Sequence, residues 1–337
     1  MRAYRVHSAD GIDAIQQEEI DIPTLGDNEI LVKMKACSLN YRDLLITMGG
    51  YVRNDVRPIT LLSDGAGEIV SIGKSVSKFN LGDRVIGNFF QHWVNGEVDD
   101  KGLNSALGGA IDGVLADYFI LQEDCTIKIP EYLSYAEAAT LPCAATTAWH
   151  ALVSVGELKA NDTVLLLGTG GVSIFGLQFA KAMDANVIIT SSSDDKLALA
   201  KKMGADHTIN YKTHPDWEEQ VMELTQGRGV DNVLEVGGAG TIEKSIASTR
   251  VNGTISMIGI LSGLENPAVN LSVLFNLLRI QGIYVGSTEM LESLLQLMSE
   301  NQIHPHIDKR FAFSDAKQAL QYVAAAQHFG KVVIEAE

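Results

Sequence analysis

The segment 163–173, TVLLLGTGGVS, constrains the fold of this chain more than any other stretch. Its first five residues, 163–167, are apolar or β-branched without alternation, which is typical of a strand buried on both faces of a parallel sheet. A glycine turn follows, and the next residues, 174–183, have the apolar spacing of a helix. A strand, a glycine turn and a helix in immediate succession predict the first βα unit of a dinucleotide-binding sheet.

Each small residue of the glycine turn has its own role in a dinucleotide site. Gly168 permits the tight turn, and Gly170 lets the backbone approach a pyrophosphate at the helix N-terminus. Ser173 stands where the usual pattern has a third glycine and is small enough for close helix–strand packing. A buried glycine turn without a ligand is the alternative. The cofactor contacts predicted in this turn are Gly168, Thr169, Gly170, Gly171 and Val172.

The rest of the chain predicts two domains. Residues 1–125 carry short strand-like runs separated by Gly, Pro, Asn and Asp, whereas six strands alternate with helices after residue 163. Two helices and a strand form the tail, which we expect to pack back on the N-terminal unit. We therefore predict an α/β fold, with a β-rich domain over 1–125 and 288–337. A doubly wound Rossmann domain is predicted over 126–287.

Two further segments have distinctive patterns. Residues 134–156 predict a helical stretch that begins with a capping box. Residues 88–113 form a long, glycine-rich, unperiodic loop, which is typical of a functional or mobile segment. Three aromatic residues of this loop suggest an apolar wall of a substrate site: Phe89, Phe90 and Trp93.

Composition excludes several classes of partner. The 26 basic and 42 acidic residues give a net charge of −16, which argues against nucleic acid and anionic membranes as partners. The three cysteines have no CxxC spacing and suggest reduced thiols in a cytoplasmic protein. No uninterrupted apolar run reaches the ~18 residues that a membrane span needs, and no signal peptide is predicted.

The tip of the second Rossmann strand favours NADPH over NADH. An acid at this tip would bind the ribose 2′-hydroxyl, but the strand ends in serines 191–193. Asp194 and Asp195 follow where the next helix starts and serve as first-turn acids. Lys196 can pair with a 2′-phosphate, although a solvated helix lysine is its simpler interpretation. The predicted contacts here are Ser191, Ser192, Ser193 and Lys196.

The motifs SLNYRDLLITMGGY, LLSDGAGEIVSIG, FNLGDRVIG, LPCAATTAWHAL, GTGGVSIFGLQFAKA, MGADHTINY, GVDNVLEVGG and GKVVI together resemble the medium-chain dehydrogenase/reductase superfamily. The resemblance covers nearly the whole chain. It implies a GroES-like catalytic domain, a Rossmann domain, a cofactor in the cleft between them, and dimers or tetramers, of which we expect a homodimer.

The positions that bind catalytic zinc in the alcohol dehydrogenases of this superfamily differ here. The resemblance places Asn40 at the first cysteine, Ser63-Asp64 at the His-Glu pair and Cys143 at the last cysteine. A catalytic zinc needs about three nitrogen or sulfur ligands, so we predict no metal. The preferred interpretation of Cys143 is a small buried hydrophobe.

The resemblance then points to the zinc-independent branch, which is similar to quinone oxidoreductases and enone or enoyl reductases. It implies that Asn40 and Tyr51 line the substrate end of the site. It also implies that Lys196 and Tyr211, fifteen residues apart, bracket the 2′-phosphate. Further cofactor contacts are expected after the fourth, fifth and sixth strands. They are Gly237 with Gly238, then Gly259, Ile260 and Leu261, then Val285, Gly286 and Ser287.

Simpler structural roles stay open for several polar residues. Asn40 can cap a helix, and Tyr51 can be a loop aromatic. Asp43 is expected to make helix-turn contacts, Arg42 to be a surface or domain-bridging charge, and Asp64 to hold the turn at 65–67. His92 is expected to be a solvated loop histidine and His150 a partly buried one.

The predicted function is NADPH-dependent, zinc-independent hydride transfer to a quinone or an α,β-unsaturated carbonyl. The Asn40 amide and the Tyr51 hydroxyl would donate hydrogen bonds to the oxygen on which negative charge develops. An alcohol dehydrogenase or carbonyl reductase is one alternative, with a metal recruited through Cys143 and Asp64. A non-catalytic NADPH-binding protein is the other.

Overall fold

Two sheets of different strand direction dominate the computed structural model, which describes residues 1–50, 58–259, 261 and 271–336. The chain divides into two compact units. Unit 1 comprises Met1–Thr146 and Val285–Glu337, and unit 2 comprises Thr147–Tyr284.

The described strands, in chain order, are β1 Arg2–Val6, β2 Ile15–Glu19, β3 Glu29–Ser38, β4 Ile59–Thr60, β5 Asp64–Ile72, β6 Arg84–Gly87, β7 Tyr118–Gln122, β8 Thr126–Lys128, β9 Thr163–Leu166, β10 Asn186–Ser191, β11 His207–Asn210, β12 Val230–Glu235, β13 Thr249–Met257, β14 Arg279–Gly282, β15 Ile307–Ala312 and β16 Lys331–Glu335.

The described α-helices are α1 Tyr41–Thr47, α2 Asp100–Leu103, α3 Tyr135–Ala138, α4 Thr146–Trp149, α5 Gly171–Ala182, α6 Asp194–Lys202, α7 Trp217–Leu224, α8 Ile242–Ser248, α9 Ser272–Phe275, α10 Thr288–Glu300 and α11 Ala316–Ala324. Short 3₁₀ turns occur at Gly11–Ala14, Glu123–Cys125 and Phe313–Asp315.

Unit 2 is built on the parallel sheet that the sequence predicts. Its strand order is β11-β10-β9-β12-β13-β14, with β9 in the middle. In the order of the chain this is 3-2-1-4-5-6, the order of a doubly wound dinucleotide-binding fold. The apolar run 164–166 is fully buried, as expected for a strand covered on both faces. The predicted Rossmann sheet is confirmed.

Unit 1 is built on a largely antiparallel sheet of seven strands. The path is β15-β16-β3-β5-β6-β8, and β7 also pairs with β3. A second sheet, β2-β1-β4, lies in the same unit. The C-terminal strand β16 pairs antiparallel with β3, so that Val333 faces Ser38. The tail therefore packs back on the N-terminal residues, as the sequence predicts.

Residues 126–146 belong to unit 1, whereas the sequence placed them in the nucleotide-binding domain. The reason lies in their partners. Strand β8 pairs with β6, and α3 contacts β3 and β5. The compact unit that holds the parallel sheet thus spans Thr147–Tyr284, and the predicted domain bounds at 125/126 and 287/288 stay a prediction.

The segment 134–156 is not the regular helix that its pattern suggests. The capping box is present, because the Glu137 N–H donates to Ser134 Oγ at 3.2 Å and the Ser134 N–H donates to Glu137 Oε2 at 2.8 Å. After α3 the backbone runs in π-helical turns over Leu141–Ala145 and His150–Val155. Pro142 has no N–H and its ring opposes an ordinary helical turn, which accounts for the first irregularity.

The loop 88–113 is ordered by its own aromatic residues, contrary to their predicted role as a substrate wall. Phe89 and Phe90 are fully buried, and Trp93 is 6% exposed. The Phe89 and Phe90 rings meet edge to face at 4.7 Å, and Trp93 Nε1 donates to Gly96 O at 2.9 Å. These side chains form the packed interior of the loop, because apolar surface is more stable when it is removed from water.

A buried carboxylate ties three strands of unit 2 together at their amino ends. Asp231 on β12 accepts from the Thr163 backbone N–H at 2.8 Å, at the start of β9. It also accepts two hydrogen bonds from Arg228, at 2.7 and 2.9 Å, and one from Arg250 Nε on β13. Although burial opposes ionisation, these donors lower the pKa of Asp231 to about 2.

We predict that Asp231→Asn lowers the free energy of unfolding by about 2 kcal/mol at pH 7. Because the pKa is lower in the folded chain, the unfolded chain binds more protons at acidic pH. The wild-type advantage is therefore complete above about pH 5 and shrinks as the pH falls through 4 towards 2. Urea unfolding at several pH values measures this difference, with the exposed Asp195→Asn as control. A difference that stays constant from pH 7 to pH 3 would contradict it.

Candidate functional site

The glycine turn of unit 2 has the geometry that a pyrophosphate requires. Gly168 has a φ of +73°, a conformation that favours glycine. Gly170 is the N-cap of α5, and apart from the adjoining residues no heavy atom of the described chain lies within 4 Å of the position of a Cβ on either glycine. The first-turn N–H groups of α5, which include those of Gly171 and Val172, have no intrahelical acceptor. This cradle fits a dinucleotide phosphate.

Ser173 explains why a third glycine is dispensable. Its hydroxyl donates to Leu167 O at 2.7 Å, and the residue is 1% exposed. The serine therefore ties the first turn of α5 to the end of the preceding strand while fitting in a tight space.

The three serines after β10 have different roles. Ser191 is buried, and its hydroxyl lies 3.5 Å from Thr169 Oγ1. Ser193 is the N-cap of α6, with its Oγ accepting from the Lys196 N–H. Ser192 is half-buried. Two of the three hydroxyls thus support the local backbone.

Tyr211 and Lys196 lie at the same edge of the sheet as these serines. The register of β10 and β11 places Asn210 beside Ser191, and the Tyr211 N–H donates to Ser191 O at 3.1 Å. The Tyr211 side chain is 41% exposed. Lys196 lies in the first turn of α6, which starts from the same strand end.

The nearby carboxylate of Asp194 is bound within the protein. Asn210 Nδ2 donates to Asp194 Oδ1 at 2.7 Å, so this acid holds α6 to the end of β11. Its position in the first helical turn agrees with the expected helix-start role.

The predicted contact Gly237 already has a partner for its N–H. The fully buried Glu235 accepts from the Gly237 and Gly238 N–H groups at 2.8 and 2.9 Å, and from Thr241 Oγ1 at 2.6 Å. Gly259 approaches this turn so closely that a Cβ would lie 2.0 Å from Val236 O. Glu235 therefore shapes the two strand tips at which cofactor contacts are predicted.

The remaining predicted cofactor residues fall into different parts of the chain. Val285, Gly286 and Ser287 belong to unit 1. Ser287 Oγ accepts from the Met290 N–H as the N-cap of α10, and Gly286 O accepts from Asn88 Nδ2 at 3.2 Å. Leu261 is 53% exposed. Ile260 lies outside the described residues, as does the predicted catalytic Tyr51.

In unit 1, Asn40 occupies the N-cap of α1. Its backbone N–H donates to Asp43 Oδ2 at 2.7 Å, which confirms the expected helix-turn role of Asp43. The Asn40 side chain itself makes no capping hydrogen bond. Its Oδ1 accepts from Lys331 Nζ at 2.6 Å, and its buried Nδ2 has no acceptor among the described residues.

Lys331 is a residue of this site that sequence reasoning missed. It begins β16, is 3% exposed, and donates to Leu39 O as well as to Asn40 Oδ1, each at 2.6 Å. Its Nζ lies 3.8 Å from Asp64 Oδ2. The GKVVI motif contained the residue, but its partner Asn40 is 291 positions away in sequence.

Asp64 does not hold a glycine turn, because it is the first residue of strand β5. It is fully buried and accepts from Ser63 Oγ at 2.7 Å and from the Cys143 backbone N–H at 3.3 Å. The Cys143 thiol is buried, which raises its pKa, with Asp64 adding to the effect. Cys143 therefore stays a neutral thiol at neutral pH.

Arg42 is buried, contrary to its expected place on the surface or between domains. It is 6% exposed, donates to Leu107 O at 3.0 Å and lies over the Phe89 ring at 4.8 Å. It also contacts Asp43 at 3.4 Å. Arg42 thus anchors the loop 88–113 to α1.

The pKa of Asp43 reflects its complete burial. Burial raises this pKa to about 6, Arg42 opposes the shift, and Asp64 adds to it. With Arg42 and Lys331 the two carboxylates form a group of two positive and two negative charges, which we call the Asp43–Lys331 cluster: Arg42, Asp43, Asp64 and Lys331.

Over the residues that the structure describes, no group of three or more His, Cys, Asp or Glu side chains could hold a metal ion. His92 is exposed, as expected for a solvated loop histidine, and His150 is half-buried. Within the same residues, no helix is both long and apolar enough to cross a membrane.

Comparison with known proteins places this geometry in a family. The model "Alcohol dehydrogenase GroES-like domain" matches residues 26–131, and the model "Zinc-binding dehydrogenase" matches residues 171–300. A zinc-type alcohol dehydrogenase-like protein of Schizosaccharomyces pombe is 45% identical over 341 residues, with 98% of each chain covered. A quinone oxidoreductase of Pseudomonas aeruginosa is 28% identical, with 96% of each chain covered. The crystal structure of an NAD-dependent alcohol dehydrogenase superposes with a TM-score of 0.90 at 31% identity, with 99% of each chain covered.

The chain belongs to the medium-chain dehydrogenase/reductase superfamily, and it is an oxidoreductase of that superfamily. The resemblance drawn from the motifs, and the GroES-like and Rossmann fold that it implied, are thereby confirmed.

Proposed function

We propose that the protein is an NADPH-dependent, zinc-independent reductase of quinones or α,β-unsaturated carbonyl compounds. The observation that carries the proposal is the Asn40 side chain, whose amide oxygen is held by Lys331 while its buried Nδ2 has no acceptor among the described residues. A buried donor without a partner is costly, and it would be satisfied by an oxygen of the substrate.

A nicotinamide cofactor, when bound, supplies a hydride from C4 of its reduced ring. Hydride addition to a quinone, or to the β-carbon of an enone, leaves two electrons and negative charge on the substrate oxygen. The Asn40 Nδ2–H group donates to that oxygen and stabilises the charge as it develops. The proton that completes a quinol or a saturated ketone can come from water, so a dedicated acid is not obligatory. Tyr51, on sequence grounds alone, is the internal proton donor that we propose.

Zinc fits the corresponding positions poorly, although one family model is named for zinc binding. Asn40 and Ser63 are weak ligands for zinc, so Cys143 and Asp64 alone fall short of the about three nitrogen or sulfur ligands that a catalytic zinc needs. The ammonium group of Lys331 lies 3.8 Å from Asp64 and already balances its charge. We therefore derive no step through a metal.

The experiment is NADPH oxidation with a panel of quinones, enones, aldehydes and ketones, before and after dialysis against a chelator. Quinones or enones should give the highest kcat/KM, and chelation should leave it unchanged.

Asn40→Ala should lower kcat by about 10²–10³-fold, because one oxyanion donor is lost. The exposed Asn28→Ala is the control.

In the substrate panel, activity that depends on added zinc, or that is confined to aldehydes and alcohols, would favour the alcohol dehydrogenase alternative. NADPH binding without turnover would favour a non-catalytic protein.

The preference for NADPH rests on the edge of the sheet after β10. Ser191 ends the strand, Asp194 is bound by Asn210, and Lys196 and Tyr211 lie at the same edge. A lysine and a tyrosyl hydroxyl suit a 2′-phosphate, whereas a carboxylate that is already bound is a poor partner for a ribose hydroxyl. A structural relative is NAD-dependent, so the two cofactors must be compared directly.

Lys196→Ala should raise KM for NADPH about tenfold and KM for NADH less than twofold. A charge-assisted hydrogen bond at a half-exposed site accounts for this size. Lys202→Ala, in the last turn of the same helix, is the matched control. Steady-state kinetics with both cofactors measures the effect. An equal increase for NADH and NADPH, or a wild-type preference for NADH, would contradict the assignment.

We further propose a homodimer, formed through the last strand of the parallel sheet. Among the described strands, β14 has a neighbour on one side only. The segment that leads into this strand carries four exposed apolar side chains, of which Phe275 is 74% exposed: Leu271, Leu274, Phe275 and Leu277. Exposed apolar groups beside an unpaired strand edge are typical of an association surface.

A cytoplasmic location is also proposed, since none of the three cysteines forms a disulfide.

Light scattering coupled to size exclusion should give the wild type a mass of about 73 kDa, twice the chain mass of 36.4 kDa. Phe275→Asp should shift the mass to that of one chain, because burying a carboxylate in an apolar contact is unfavourable. Leu81→Asp, at another exposed leucine, should leave the dimer intact. A variant of Phe275 that remains dimeric would place the interface elsewhere.

A further inference from the structure

The Asp43–Lys331 cluster places a buried cation, the Lys331 ammonium, against the Asn40 amide. Lys331 Nζ is buried in unit 1, between the end of β3, the start of α1 and the start of β5. It donates to two oxygens at 2.6 Å and has a carboxylate oxygen at 3.8 Å. An ammonium group has three protons, of which two are used in these hydrogen bonds, and the carboxylate at 3.8 Å forms an ion pair.

The contact with Asn40 determines which way the amide faces. An ammonium group can only donate, so it binds the amide oxygen and not the amide nitrogen. The planar amide must then direct Nδ2 away from Lys331. Leu39 O receives a second bond from the same Nζ, so the ammonium is held on the residue next to Asn40. The orientation is thus set from two adjacent positions of the chain.

The same contact changes the strength of the donor. The positive charge of Lys331, placed against the amide oxygen, polarises the amide and makes its N–H groups better donors. Hydrogen bonds in series reinforce each other at low local dielectric. The cluster as a whole is neutral, since Arg42 and Lys331 balance Asp43 and Asp64. The ammonium therefore stays buried without a net charge around it.

We propose that Lys331 is a positioning residue, which orients and polarises the Asn40 amide as the donor to the substrate oxygen. This inference rests on the proposed function and deepens it. The positive charge of Lys331 acts on the substrate oxygen through the Asn40 amide, in the role that a metal ion would otherwise have.

The first experiment needs no turnover. In protein labelled with ¹⁵N-asparagine, the Asn40 side-chain resonance is identified by its loss in Asn40→Ala. Lys331→Met should shift this resonance towards that of a free amide, whereas Lys331→Arg, which keeps the cation, should shift it little. Lys309→Met, at an exposed lysine, is the control. An Asn40 resonance that is unchanged in Lys331→Met would overturn the proposal.

The second experiment is a double-mutant cycle on the preferred substrate. Lys331→Met should lower kcat about 10–100-fold, with KM for NADPH changed less than threefold, and Lys331→Arg should restore most of the rate. Adding Lys331→Met to Asn40→Ala should slow the enzyme no further, because Lys331 acts through Asn40. Independent, multiplicative losses, or a normal kcat in Lys331→Met, would overturn the proposal.

Thermal unfolding separates these effects from loss of fold. If Lys331→Met does not purify as a folded protein, Lys331→Gln replaces it. Because Gln keeps a donor and loses the charge, the shift of the Asn40 resonance and the loss of kcat should be smaller than for Met, and no change in either would overturn the proposal. If the wild type reduces no substrate, the proposed function fails, and the Asn40 resonance still decides whether Lys331 orients the amide.

Discussion

The pairing of four buried charges in unit 1 is the constraint on which the candidate site depends. Buried ions are stable only when they are paired, so Arg42, Asp43, Asp64 and Lys331 must meet. They come from α1, the first residue of β5 and the first residue of β16. Their pairing brings the C-terminal strand to the helix start where Asn40 lies. The same contacts that satisfy the charges therefore set the direction of an amide.

The proposed cofactor site in unit 2 is built on a different principle. It depends on backbone shape, since Gly168 adopts a positive φ and Gly170 leaves open space at the N-terminus of α5. Side chains there mostly support this shape, as Ser173, Ser193 and Glu235 do through hydrogen bonds to nearby backbone. A reductase of the proposed kind thus combines a cradle made of N–H groups with one strongly positioned side-chain donor.

The sequence predicted the parts of the fold that depend on neighbours along the chain. The alternation of strands and helices after residue 163 was enough for the Rossmann sheet. Prediction from the sequence failed for residues whose contact partners are distant along the chain. Arg42 looked like a surface charge, and Phe89 like a substrate wall, because nothing local shows that the two stack on each other. The segment 134–156 has helical spacing, but periodicity does not distinguish an α-helix from a helix with π turns around Pro142.

By itself, the sequence determined the family, the two kinds of domain, the glycine turn and Asn40 as a candidate donor. The domains and the glycine turn follow from local patterns, in which the spacing of a few residues dictates backbone geometry, whereas the family and the role of Asn40 follow from the resemblance of the motifs. Only the tertiary structure decided that Lys331 holds Asn40, that Asp64 supports the Cys143 backbone, and that residues 126–146 belong to unit 1. Each of these depends on strand pairing or charge pairing between distant segments, whose energy arises only when the folded chain brings them together.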